Sequence, residues 1–92
     1  MTNTAFNPYN DTAKTNGAWS QGSLLINGRV LKYCVKHFDE PSQYGILDGR
    51  ISKLEIRPDG EAATCSYERG WEKKAEDKES KIALGYLLRK YN

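Results

Sequence analysis

His37 is the single histidine of this 92-residue chain, and Asp39 and Glu40 follow it closely. An imidazole near carboxylates is the arrangement of a general base or of part of a metal site. Zinc, however, takes three or four ligands, and the sequence offers no second histidine. His37 is therefore expected at the surface, near a strand end. Cys34 and Cys65 lack the C-x-x-C spacing of a redox or metal pair. Within strands they are expected to act as small hydrophobes. Ser42 and Ser52 have no G-x-S-x-G context, and G-x-G-x-x-G, Walker and Asp-rich calcium-loop patterns are missing. These residues give poor support to hydrolysis or phosphoryl transfer. A non-enzymatic protein without metal or cofactor is expected.

Recognition chemistry is better supplied. The stretch DEPSQYGILDGRISKLEIRPDG, Asp39 to Gly60, combines a proline-led loop, two Gly-ended turns and a short alternating strand. Glu40, Tyr44 and Arg50 gather on backbone restricted by Pro41, Gly45 and Gly49, with Arg57, Tyr67, Arg69 and Trp71 expected beside them. Arg, Tyr and Trp are enriched at interface hot spots because each brings large area with a polar handle. These seven residues form the candidate partner-binding surface. A competing reading keeps the same residues inside the fold. There Glu40 or Asp39 pairs with Arg50 as a staple, and Trp71 covers an end of the core.

The elements that must hold this loop follow from periodicity. Asn27-Gly28 lies between two β-rich segments, the signature of a two-residue hairpin whose central residues need positive φ. Before it, Trp19 to Ile26 reads as a strand with Gly22 marking a bulge or a close backbone approach. After it, Leu31, Tyr33 and Val35 alternate with Lys32, Cys34 and Lys36. Arg50 to Arg57 gives a third strand, Pro58-Asp59-Gly60 a turn, and Glu61 to Tyr67 a fourth strand. Gly70 is the expected pivot after it. Asp77 caps a helix to Tyr91, with Ala83, Leu84, Leu87, Leu88 and Tyr91 as its apolar stripe. Gly85 suggests close contact with the sheet. The expected fold class is α+β, a four-stranded antiparallel meander with one C-terminal helix packed on one face.

Length allows one domain, here residues 17–92, preceded by a flexible N-terminal arm over 1–16 with Phe6 and Tyr9 as its aromatic exceptions. A chain this short buries only about 60–65% of the surface its unfolded form exposes, so a deep enclosed site is hard to build. Fourteen Lys and Arg against twelve Asp and Glu leave a net charge of +2, interspersed in sign along 68–79. That balance argues for a solvated surface, not a phosphate-binding stripe. No apolar run approaches the ~20 residues of a membrane span, and no signal-like leader precedes the domain. A cytoplasmic protein is expected, and the sequence leaves its oligomeric state open, a homodimer included.

Taken together, FDEPSQYGILDGRISKL, YERGW and the terminal LLRKYN resemble a family of small uncharacterised proteins of Gram-positive bacteria and their phages. The resemblance covers roughly residues 30–92. Glu40, Pro41, Tyr44, Gly45, Gly49, Arg50, Arg69 and Gly70 match its motifs, while Leu47-Asp48 stands where an Asn- and Gly-rich pair is expected. The resemblance implies a mobile-element context and carries no reaction. On that context the expected function is protein binding, as a phage-encoded inhibitor of a host or defence-system protein. The alternative is a nucleic-acid or nucleotide binder using Lys32, Lys36, Lys53 and Arg57 on the outer sheet face, a face that Glu55 and Glu61 interrupt.

Overall fold

A computed structural model describes residues 7–92. Along the chain come β1 (Lys14–Asn16), β2 (Trp19–Ile26), β3 (Arg29–His37), a 3₁₀ turn (Ile46–Asp48), β4 (Ile51–Pro58), β5 (Cys65–Glu68), β6 (Trp71–Lys73) and α1 (Lys78–Tyr91). The strands pair in sequence order as one antiparallel meander. The helix crosses one face, over β2, β3 and β4. The fold is thus α+β with a C-terminal helix, as expected, but the sheet has six strands instead of four.

Both additional strands are short edge strands with wholly exposed residues. Edge pairing rests on backbone groups, so neither β1 nor β6 carries an apolar alternation. β1 lies in the stretch expected to be an arm. After a turn in which Asn10 N donates to Asn7 O at 3.3 Å, the chain also follows the β2 edge, with Leu25 N donating to Tyr9 O at 2.8 Å and Thr12 N to Ser23 O at 3.2 Å. Residues 7–16 are therefore tied to the sheet; Phe6 lies outside the described residues.

The central hairpin matches its sequence signature. Asn27 and Gly28 have φ of 53° and 76°, and Ile26 pairs with Arg29 across them. Gly22 sits in regular register opposite Tyr33, so there is no bulge. Its purpose is proximity: a Cβ there would lie 3.0 Å from the backbone of Thr12 and Ala13. At the β5–β6 turn the left-handed residue is Arg69, with φ 58°, and not the expected Gly70. β5 is also shorter than Glu61 to Tyr67, beginning only at Cys65.

Alternation decides what the sheet buries. Leu24, Ile26, Leu31, Tyr33, Val35, Leu54, Ile56 and Cys65 form one cluster with Ala83 and Leu87 of the helix. Cys34 has the opposite parity to Tyr33 and Val35, while Cys65 pairs with Ile56 on the core side. The two thiols therefore occupy opposite faces of the sheet. Asp77 caps the helix by accepting from Ser80 N at 2.8 Å. Arg29, at the start of β3, reaches Asp77 at 2.8 Å and ties that cap to the hairpin. Gly85 contradicts its expected role, since a Cβ there would meet nothing within 4 Å. It lies off the helix face that enters the core.

Candidate functional site

The loop from Phe38 to Arg50 is held by backbone groups and by the last residue of the chain. Phe38 N donates to Arg50 O at 3.1 Å, and Ser42 N to Gly49 O at 3.0 Å, closing the loop at its base. Asn92 enters from the helix end. Its Oδ1 accepts from Ile51 N at 2.9 Å and its Nδ2 donates to Ile46 O at 3.0 Å. Ile46 is buried beneath the 3₁₀ turn. Leu47 and Asp48 both adopt left-handed backbone, with φ of 52° and 56°. This explains why Asn and Gly would be expected at that pair: a side chain in this region costs roughly 1–2 kcal/mol. Leu47 is also 84% exposed.

On the loop's outer side, Tyr44 is 50% exposed and carries the Arg69 guanidinium 5.1 Å from its ring centroid. The ring's negative face attracts that charge. Arg69 is itself fixed, its N–H donating to Ser52 O at 2.9 Å. Below, Tyr67 donates its hydroxyl to Tyr44 O at 2.8 Å. Trp71 meets Tyr67 edge to face at 5.1 Å. Beside Tyr44 and Arg69 opens a hollow of about 350 Å³, lined also by Lys36, Phe38, Lys53 and Glu68. Lys36 sits between two aromatic faces, 5.6 Å from Trp19 and 5.5 Å from Phe38.

The seven residues expected at this surface are thus divided. Tyr44 and Arg69 come together as its exposed pair. Tyr67 and Trp71 adjoin them, but Tyr67 is buried and supports the loop from below. Glu40 and Arg50 are exposed on the loop without an ion pair among the described residues, so in place of the carboxylate–Arg50 staple of the competing reading the loop is held by Asn92. Arg57 lies at the far end of β4, bonded to Glu55 at 3.0 Å. Lys36 and Phe38 are members of the hollow that the sequence assigned elsewhere or missed. Phe38, 46% exposed, continues the outward parity of Lys32, Cys34 and Lys36, although the register is irregular between Lys36 and His37.

The basic outer face is largely neutralised. Lys32 pairs with Asp59 at 3.3 Å, Lys53 with Glu68 at 3.7 Å and Arg57 with Glu55 at 3.0 Å. Only Lys36 of the four expected nucleic-acid contacts has no carboxylate partner among the described residues. That arrangement does not present a phosphate-binding stripe.

His37 has moved inward from its expected surface position. Its Nε2 lies 2.8 Å from Ser20 Oγ, and its ring stacks on Tyr91 with centroids 4.7 Å apart. A serine and an imidazole at this distance have nucleophile–base geometry, yet Ser20 is 0% exposed and also bonds Thr15 at 2.7 Å. Burial lowers the His37 pKa below its usual value, with Asp39 opposing more weakly. The folded state therefore holds neutral imidazole, while the unfolded chain takes up a proton first as pH falls. Stability is present above the ordinary histidine pKa and is lost as pH falls from about 7 toward 5. Denaturation midpoints across that window should fall in the wild type and flatten in His37→Gln. The lowered Asp11 and Asp77 pKa values act only at more acidic pH.

Among the described residues, no group of three or more His, Cys, Asp and Glu side chains is placed to hold a metal ion. No helix among them is long and apolar enough to cross a membrane. Residues 18–92 match a family described as a domain of unknown function (DUF7678). The chain belongs to that family. The DUF7678 domain thus contains the whole loop, both of its turns and the helix end that closes it. No curated protein and no solved structure matches the chain.

Proposed function

We propose that this DUF7678 domain is a non-enzymatic protein-binding module whose recognition surface is centred on Tyr44 and Arg69. The observation that carries the reading is the half-exposed Tyr44 ring held by Arg69 on a loop whose backbone is closed at both ends. Preorganised aromatic and guanidinium groups lose little conformational freedom on binding, which favours affinity. Lys36 and Phe38 extend the surface across the hollow. The resemblance to proteins of bacteria and their phages supports a host or defence-system protein as partner, with the domain acting as a phage-encoded inhibitor.

The test begins with capture from host lysate and continues with paired measurements on the captured partner. Tyr44→Ala and Arg69→Ala should each weaken binding by about 1–4 kcal/mol, the range of interface hot spots. Their folding should change little, by roughly 0.5 kcal/mol, because both side chains face water. Variants that melt early yet bind normally when folded would assign these residues to the fold and end the recognition reading.

A further inference from the structure

The segment before the DUF7678 match lies on the domain as a bound peptide would. Tyr9 O accepts from Leu25 N at 2.8 Å and Thr12 N donates to Ser23 O at 3.2 Å, extending the β2 edge beyond β1. Thr12 Oγ1 also accepts from Ser23 N at 2.9 Å. Between those bonds the Asp11 side chain turns inward and is only 3% exposed. It accepts from Tyr33 Oη at 2.6 Å on one oxygen, and from Tyr86 Oη at 2.6 Å and Lys90 Nζ at 2.5 Å on the other. Tyr9 packs edge to face on Tyr86, centroids 5.5 Å apart. Burial works against the Asp11 charge, but the bonds from Lys90, Tyr33 and Tyr86 outweigh it and leave the carboxyl below its usual range.

Every group that receives this segment, namely Ser23, Leu25, Tyr33, Tyr86 and Lys90, lies within residues 18–92, and every group that is received lies outside. The domain therefore contains a sheet edge, an aromatic seat and three converging donors that together fit a carboxylate-bearing chain that turns at Pro8-Tyr9 and then runs along the edge. Strand addition gives such a site affinity through main-chain bonds and specificity through side-chain seats. Gly22 keeps the floor low enough for the backbone to approach.

We propose that the β2 edge with Tyr33, Tyr86 and Lys90 is a peptide-binding site for a segment of the pattern tyrosine–x–aspartate, occupied in cis by residues 7–13. The site is separate from the Tyr44–Arg69 surface, and its success or failure leaves that reading untouched.

A tethered ligand is present at an effective concentration in the millimolar range, so it suppresses binding in trans until its anchors are removed. The test uses the full chain carrying Tyr9→Ala and Asp11→Ala, with folding checked by far-UV circular dichroism. The probe is a fluorescein-labelled peptide of residues 7–13, Asn-Pro-Tyr-Asn-Asp-Thr-Ala, followed by anisotropy. The double variant should bind it saturably, about tenfold or more tighter than wild type does. The same peptide with asparagine in place of the aspartate should bind about tenfold more weakly. A folded double variant that ignores the peptide, or binds both peptides alike, overturns the proposal and leaves the segment as a simple cover. If the double variant does not fold, Asp11→Asn in the full chain is titrated instead, and the same two outcomes decide.

Discussion

Replacing Leu87 with alanine should lower the unfolding free energy by about 2–5 kcal/mol, the range for emptying a buried leucine site. Leu87 is 0% exposed and belongs to the single buried cluster that joins helix and sheet. It follows Ala83 by one turn, and Ala83 is equally enclosed, so the helix approaches the sheet most closely along this line. The neighbouring strands are locked in register from β2 to β4, which limits collapse into the space left behind. Leu84, on the flank of the same helix, is only partly buried and should lose less when truncated. The check is a pair of urea titrations, reading midpoints with the slope held as a control on the denatured state. An unchanged Leu87→Ala midpoint would refute the helix-on-sheet core, whatever happened at Leu84.

How far these features are legible in sequence depends on the range of the interaction behind them. The hairpin at Asn27-Gly28, the alternation of Leu31, Tyr33 and Val35 and the Asp77 cap are local, and each takes its expected place. Strands β1 and β6 are only three residues long and are held by backbone pairing with exposed side chains. Three residues are too few to show an alternation that would separate them from an arm or a charged connector. Asp11 meets partners 22, 75 and 79 positions away, so composition shows only one more polar residue in an Asn- and Thr-rich stretch. The loop is an intermediate case. Its glycines and proline announce fixed backbone, but the staple is Asn92, 41 residues after its partner Ile51. The competing carboxylate–Arg50 pair would join residues of the same loop, a much shorter separation in sequence. Leu47-Asp48 shows the opposite relation: a departure from an expected Asn- and Gly-rich pair marks two residues in left-handed backbone.

Gly45→Ala should be the most damaging substitution in that loop, costing about 3 kcal/mol, the upper part of the overpacking range. The cause is contact and not dihedral preference, since Gly45 has φ −80° and ψ 158°, open to any residue. A Cβ at Gly45 would lie 2.0 Å from Gly49 O and 2.7 Å from Gly49 C. That carbonyl already accepts from Ser42 N at 3.0 Å, so moving it aside opens the loop base. Gly49→Ala is a milder case. Its Cβ would meet the Asn92 side chain, 2.4 Å from both terminal atoms. The Asn92 side chain can swing away, but Ile51 N and Ile46 O then lose their partner. A stranded buried donor or acceptor costs about 1–3 kcal/mol. Gly49→Ala should therefore resemble Asn92→Ala, and the double substitution should add little to either alone. Denaturation midpoints give the ranking, and amide exchange at Ile51 reports the lost Asn92 bond directly. A Gly45→Ala protein with a wild-type midpoint would show that the loop backbone has slack. Tyr44 would then sit on a yielding support, and preorganisation would no longer account for recognition at this surface.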